Sequence, residues 1–149
     1  MSISTLKESD FATWSELWRK YLLHDGITNM PEQQYQGSFA RIIDENGDIY
    51  GLVVRDPEDP TKILGLSHFV LQPSVRTEKP YAHMSDLFVD ASARRKGYGR
   101  KLIMATAEAA SQMGCSRLSW IMEKNNEEAK KLYEMVAGPS THDLYRMPL

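Results

Sequence analysis

One turn constrains this chain more than any other stretch. Residues 90–102 read DASARRKGYGRKL. They follow an apolar, strand-like run, Tyr81–Val89, and lead into a helical pattern over residues 99–113. In that pattern Leu102, Ile103, Thr106, Ala109, Ala110 and Met113 recur at helical spacing, and Gly114 stops it. Five of the eight residues 94–101 are basic, and Gly97 and Gly99 flank Tyr98. The first N–H groups of a helix have no partner within the helix, and the helix dipole favours negative charge beside them. Glycine lets a backbone approach a phosphate with no side chain in the way. Strand, cationic glycine turn and helix together make a cradle for a diphosphate.

The rest of the chain falls into two rhythms. Phe11, Trp14, Leu17, Trp18 and Tyr21 form one apolar face of a helix over residues 10–23, with Ser9 or Asp10 as its cap and Gly26 beyond its end. Pro31 opens a second helix carrying Tyr35, Phe39 and Ile42, and residues 39–43 also read as a strand. Asn46-Gly47 is a tight-turn pair. Strands follow at residues 49–55, 63–71 and 81–89, separated by a proline- and acid-rich hairpin loop at 56–62 and a loop at 73–80. After the basic turn the order is helix, short strand (117–122), helix and final strand (141–147). Asn125 or Asn126 caps the last helix, Ala129, Leu132, Tyr133 and Val136 face inward, and Gly138-Pro139 ends it. This order implies a single α/β or α+β domain over residues 1–149, with a mixed, partly parallel sheet.

Composition narrows the function. With 149 residues the chain suits one domain, and at 42% hydrophobic it can bury a core. No apolar run approaches the roughly 20 residues that cross a bilayer, and the first residues lack a secretion-signal pattern. Cys115 is the single cysteine, so no internal disulfide forms, and a cytoplasmic location is expected. The net charge is −2, whereas a nucleic-acid-coating protein is usually basic, so the anion site is local. No metal site is expected.

Three phosphate-binding designs compete for the turn. A P-loop needs Gly-Lys-Ser/Thr at the helix start, but Gly99 is followed by Arg100, Lys101 and Leu102. A dinucleotide fold has an acid near Glu123, yet Leu102 stands where its third glycine belongs, and several residues separate Val89 from Gly97. The third design fits. Arg94-x-x-Gly97-x-Gly99 resembles the acetyl-CoA signature of the GCN5-related N-acetyltransferases. Downstream, Asn126-x-x-Ala129-x-x-Leu132-Tyr133 resembles that family's Asn-x-x-Ala-x-x-Leu-Tyr helix. The resemblance covers residues 81–133. Residues 85–90, SDLFVD, are similar to the subgroup of diamine acetyltransferases and the yeast histone/polyamine acetyltransferase relatives. The family's Gly-Phe after the tyrosine helix is replaced by residues 136–139, VAGP.

The resemblance implies a mostly antiparallel sheet with two splayed parallel central strands, flanked by helices. Acetyl-CoA, the co-substrate, would lie between Tyr81–Val89 and residues 117–122. Its pantetheine would pair with the backbone of Leu87, Phe88 and Val89 like an added strand. The signature from Arg94 onward, through the N–H groups of Arg95, Lys96, Gly97, Tyr98, Gly99 and Arg100, would hold the pyrophosphate. Asn126 would bond the pantetheine, or simply cap its helix, with Ala129 in the same motif. Tyr133 matches the general acid for the departing thiolate, and otherwise reads as a core aromatic. The acceptor is an amine, which must lose a proton before it attacks. Asp86 and His83 are the candidate bases. Asp86 otherwise reads as a strand acid paired with a lysine or arginine, and His83 as a structural histidine. His24, Asp25, Glu32 and Tyr35 lie where the family walls its acceptor site, and Cys115 reads as buried. A homodimer is implied, because relatives dimerise and a final strand leaves an edge to cover. Two other readings stay open: a nucleotide-dependent oxidoreductase and a non-catalytic nucleic-acid-binding module.

Overall fold

The computed structural model describes residues 3–149. The chain divides into two compact units, one up to Ser119 and one over Trp120–Leu149.

The first unit is a five-stranded sheet with helices on both faces. The strands are β1 (Ile3–Thr5), β2 (Tyr50–Arg55), β3 (Ile63–Gln72), β4 (Tyr81–Val89) and β5 (Leu118–Ser119). They stand in the order β1-β2-β3-β4-β5, antiparallel throughout except for the parallel pair β4–β5. The helices are α1 (Phe11–His24), α2 (Glu32–Ile43) and α3 (Tyr98–Gln112). Leu66 and Val53 on one face of the sheet bury Trp14, Leu17 and Leu22 of α1 and Tyr35 and Phe39 of α2. On the other face Ser67 hydrogen-bonds Thr106 of α3 at 2.8 Å. Gly65 lets α3 lie close, because a Cβ there would come within 3.1 Å of Leu102 Cδ1.

The ambiguity over residues 39–43 resolves as helix. Tyr35 and Phe39, four residues apart, are both buried, so helical spacing serves the core and strand alternation would not. The strand Ile3–Thr5 has no signal of its own; its place depends on pairing with β2. β5 is shorter than residues 117–122.

The second unit holds α4 (Glu127–Ala137). The strand expected at residues 141–147 is absent: this segment forms no ladder, and Tyr145 and Met147 are exposed at 92% and 80%. A segment makes a strand only where a neighbouring strand takes up its backbone hydrogen bonds, and none does so here among the described residues. The edge strand on which the homodimer expectation leaned is therefore missing.

Candidate active site

The site begins with an irregularity in β4. Met84 stands opposite Phe69 and Asp86 opposite His68, which leaves Ser85 as an extra, bulged residue. The parallel pairing with β5 runs only through Ala82↔Leu118 and His83↔Ser119. β5 therefore leaves β4 just before the bulge, and among the described residues the remainder of β4 has a ladder on its β3 side alone.

Register tells which backbone groups this opens. Val89 stands opposite Gly65, and the Asp90 N–H donates to the Leu64 carbonyl at 2.8 Å. Antiparallel alternation then turns the N–H and C=O of Val89 and Leu87 away from β3 and those of Phe88 toward Leu66. Of the expected trio, Leu87 and Val89 offer backbone on the side away from β3, while the backbone of Phe88 turns toward Leu66. One lone pair of the Val89 carbonyl already accepts from Arg94 Nε at 3.1 Å.

The basic turn follows. Ala91–Ala93 is a short 3-10 turn capped by Asp90, whose carboxylate accepts from the Ser92 N–H and hydroxyl. Asp90 also pairs with Lys20 of α1 at 3.1 Å. The Ser92 hydroxyl and, after it, Lys20 hold the Asp90 carboxyl below the usual carboxylate range. Arg95 has φ +63° and Gly97 φ +78°, a left-handed pair that bends the backbone sharply before α3. The first helical bond runs from the Lys101 N–H to the Gly97 carbonyl, so the N–H groups of Tyr98, Gly99 and Arg100 lie ahead of the helix's own ladder. A Cβ on Gly97 would meet no atom within 4 Å, so the turn is open where a phosphate would approach. A groove of about 610 Å³ lies between the start of α3 and β1, lined by Ile3, Gly97, Arg100, Lys101, Met104 and Ala105. Arg94 bends back, its guanidinium 5.7 Å from the Phe88 ring centre. Its side chain thus braces the end of β4.

On the α1 face of the sheet lies a polar cluster among aromatics. His68 Nδ1 is 3.0 Å from Asp86 Oδ2, and Trp14 Nε1 donates to His68 Nε2 at 3.1 Å. Tyr21 stacks on Trp18 at 5.0 Å and meets Phe88 edge-on at 5.5 Å. Burial, and then the negative charges of Asp86 and Asp25, push the Tyr21 phenol far up, so it stays a hydrogen-bond donor. Among the described residues Asp86 is therefore no strand acid paired with lysine or arginine; its side-chain partner at 3.0 Å is the His68 imidazole. His83 stands opposite Val70 and shares this face, because Val70 and His68 are two apart on β3.

In the second unit, Asn126 Oδ1 accepts from the Ala129 N–H at 3.1 Å, so the asparagine does cap α4. Its amide N–H₂ makes no bond in that cap. Tyr133 meets Trp120 edge-on at 5.5 Å, and burial pushes its phenol up. Cys115, expected to be buried, is half-buried, and burial raises its thiol.

The profile of the Acetyltransferase (GNAT) family matches residues 4–138. The chain belongs to that family. It is an acetyltransferase, and the oxidoreductase and nucleic-acid readings give way. The D-amino-acid N-acetyltransferase HPA3 of Saccharomyces cerevisiae is 30% identical over 97% of this chain and 88% of its own length. The thialysine N-epsilon-acetyltransferase of Caenorhabditis elegans is 33% identical over 62% of this chain and 55% of its own. Among solved structures, a probable acetyltransferase superposes with TM-score 0.88 at 20% identity, covering 100% of this chain and 98% of that one. That likeness is one of fold, and the five-stranded, mostly antiparallel GNAT sheet agrees with the expectation from sequence.

Two features of this GNAT site escaped the sequence. His68 meets Asp86 through β3–β4 register, Trp14 meets His68 through the packing of α1, and no short motif contains either. The bulge at Ser85 has no glycine to mark it.

Proposed function

We propose that this chain transfers an acetyl group from acetyl-CoA to the primary amine of a small molecule, by direct attack within a ternary complex. The observation that carries the reading is the break in β4. Pairing with β5 stops at His83, and the N–H and C=O of Leu87 and Val89 face away from β3 just before a helix start fed by a left-handed, cationic turn. An extended chain of amides ending in a diphosphate suits that sequence of groups. Leu87 and Val89 would pair with the pantetheine, and the N–H groups from Arg95 to Arg100 would hold the pyrophosphate.

The same arrangement supports the chemistry. Asp86 attracts the acceptor's ammonium and takes its proton, which frees the nitrogen to attack. An open N–H at the end of β4 stabilises the oxyanion that develops on the acetyl carbonyl. By its place in the Asn-x-x-Ala-x-x-Leu-Tyr motif, Tyr133 protonates the leaving thiolate; its raised pKa keeps it protonated at neutral pH. Asn126 would use its free amide N–H₂ on the pantetheine while its oxygen caps α4.

Relatives whose names specify a D-amino acid, thialysine and L-ornithine point to amino acids as the first acceptors to try. Polyamines, other small amines and protein lysines complete the panel. A homodimer remains our reading for a different reason than an edge strand: Tyr145 and Met147 lie exposed, and a second copy would cover them. The single, half-buried cysteine suits a reducing cytoplasm.

The test is release of free thiol from acetyl-CoA across that panel, with the product identified by mass. Thiol release that depends on an amine supports the reading. Saturable acetyl-CoA binding without transfer to any amine would overturn it.

A further inference from the structure

We infer that His68 and Trp14 are positioning residues for the reaction, a buried relay that fixes the Asp86 carboxylate. The inference rests on the acetyltransferase reading and adds two residues that neither cofactor signature contains.

The chemistry of the three groups leaves one arrangement. An indole N–H can donate and cannot accept. Trp14 Nε1 therefore donates to His68 Nε2 at 3.1 Å, and that nitrogen carries no proton. The ring's proton sits on Nδ1 and is donated to Asp86 Oδ2 at 3.0 Å. The ring can scarcely turn: Trp14 is 0% and His68 4% exposed, and Trp18 meets the imidazole edge-on at 4.9 Å. The Asp86 side chain, at the mouth of this column, retains 21% exposure.

The relay does two things. It ties one carboxylate oxygen, Oδ2, to a fixed donor, and with the Tyr21 hydroxyl, which also hydrogen-bonds Asp86, it sets the plane in which the carboxylate receives the proton. It does so with a neutral group. A lysine or arginine there would hold the carboxylate and also cancel its charge. Among the described residues Asp86 pairs with neither, so its charge remains available to an incoming ammonium. During transfer one proton passes from the ammonium to Asp86, and the protons of His68 and Trp14 stay where they are. A catalytic group displaced by about 1 Å can cost a factor of about 100 in rate.

Two measurements decide. The first uses the whole resting protein, labelled with ¹⁵N in its histidines, and reads the His68 tautomer at neutral pH. The Nδ1–H form is expected, with loss of that signature in Trp14→Phe. An Nε2–H form or a doubly protonated ring overturns the relay, whether or not the protein turns over. The second compares His68→Leu with His68→Asn, whose side-chain amide nitrogen can replace Nδ1 as donor. His68→Leu should lower kcat/KM for the amine about 100-fold with the acetyl-CoA dissociation constant unchanged, and His68→Asn should recover most of the loss. Circular dichroism and melting curves confirm that both are folded. Equal losses in the two variants, or a leucine variant near wild type, overturn the positioning role. If wild type transfers acetyl to no amine, the proposed function falls and the positioning role with it. The tautomer still decides the hydrogen-bond chain on its own.

Discussion

His83 and Asp86 face the same side of β4 although they are three positions apart. In a regular strand an odd separation puts side chains on opposite faces. Here His83 stands opposite Val70 and Asp86 opposite His68, and the extra residue Ser85 between them restores the phase. Both candidate bases thus reach the α1 face, and only Asp86 is held there by a hydrogen bond to a buried partner. Asp86→Asn should lower the rate of the chemical step by on the order of 10²–10⁴-fold, the usual contribution of a general base. His83→Gln should stay within a few-fold of wild type. Single-turnover rates with saturating acetyl-CoA check both, and the reverse pattern would assign the base to His83.

Much of this site could be read locally. The signature from Arg94 to Gly99, the cap at Asn126 and the apolar face of α1 each reside in a few consecutive residues, and each stands where the spacing put it. The parts that could not be read depend on distant partners. Ser85 bulges because of its register with Phe69 and His68 across a hairpin. Ile3–Thr5 is a strand because β2 offers it an edge. Residues 141–147, expected as a strand, are not one, because no neighbour among the described residues pairs with them. Phe88 follows the same logic: pattern placed it on the strand, and only the hydrogen-bond phase shows that its backbone faces β3.

The turn before α3 tests the cofactor end. Gly97 adopts φ +78°, where an L side chain is strained, while the space around its missing Cβ is open. Gly97→Ala should therefore cost about 1–2 kcal/mol of stability from backbone strain alone. If the N–H groups beside it grip the pyrophosphate, acetyl-CoA binding should weaken about tenfold or more as the turn relaxes. Gly99→Val should weaken it further without needing the left-handed conformation. Calorimetric titration of the folded variants checks this, and unchanged affinity in both would reduce the loop to a plain turn.

The start of α1 carries the clearest stability prediction. Arg55 Nη1 and Nη2 donate to the two oxygens of Asp10 at 2.8 and 2.7 Å, and both side chains are buried. The Arg55 hydrogen bonds hold the Asp10 carboxyl below its usual range against the opposing effect of burial. A carboxyl depressed in the folded state stabilises above its unfolded pKa, so this contribution is present at neutral pH. It fades as pH falls below the ordinary carboxylate range and through the lower folded value. Asp10→Ala removes the carboxylate to which the buried Arg55 guanidinium donates twice and should destabilise by about 3–5 kcal/mol. Urea unfolding at neutral pH measures that loss, and the gap between variant and wild type should shrink in acid. A constant gap across pH would mean that packing, and not charge, sets the cost.

Tyr133 is the remaining proton donor to test. Burial raises its phenol, so the hydroxyl is protonated at neutral pH and can serve as a donor to the leaving thiolate. Tyr133→Phe retains the ring that meets Trp120 and removes only the hydroxyl. A proton needed mainly in the transition state leaves substrate affinity alone and slows chemistry. The chemical step should therefore fall by roughly 10²–10⁴-fold, with the acetyl-CoA dissociation constant and the melting temperature nearly unchanged. A packing tyrosine would do the opposite, shifting the melting temperature slightly and the rate hardly at all. Single-turnover rates and melting curves on one preparation separate the two. A rate within about twofold of wild type, with chemistry shown to be limiting, would remove Tyr133 from the mechanism and leave water or another donor to protonate the thiolate.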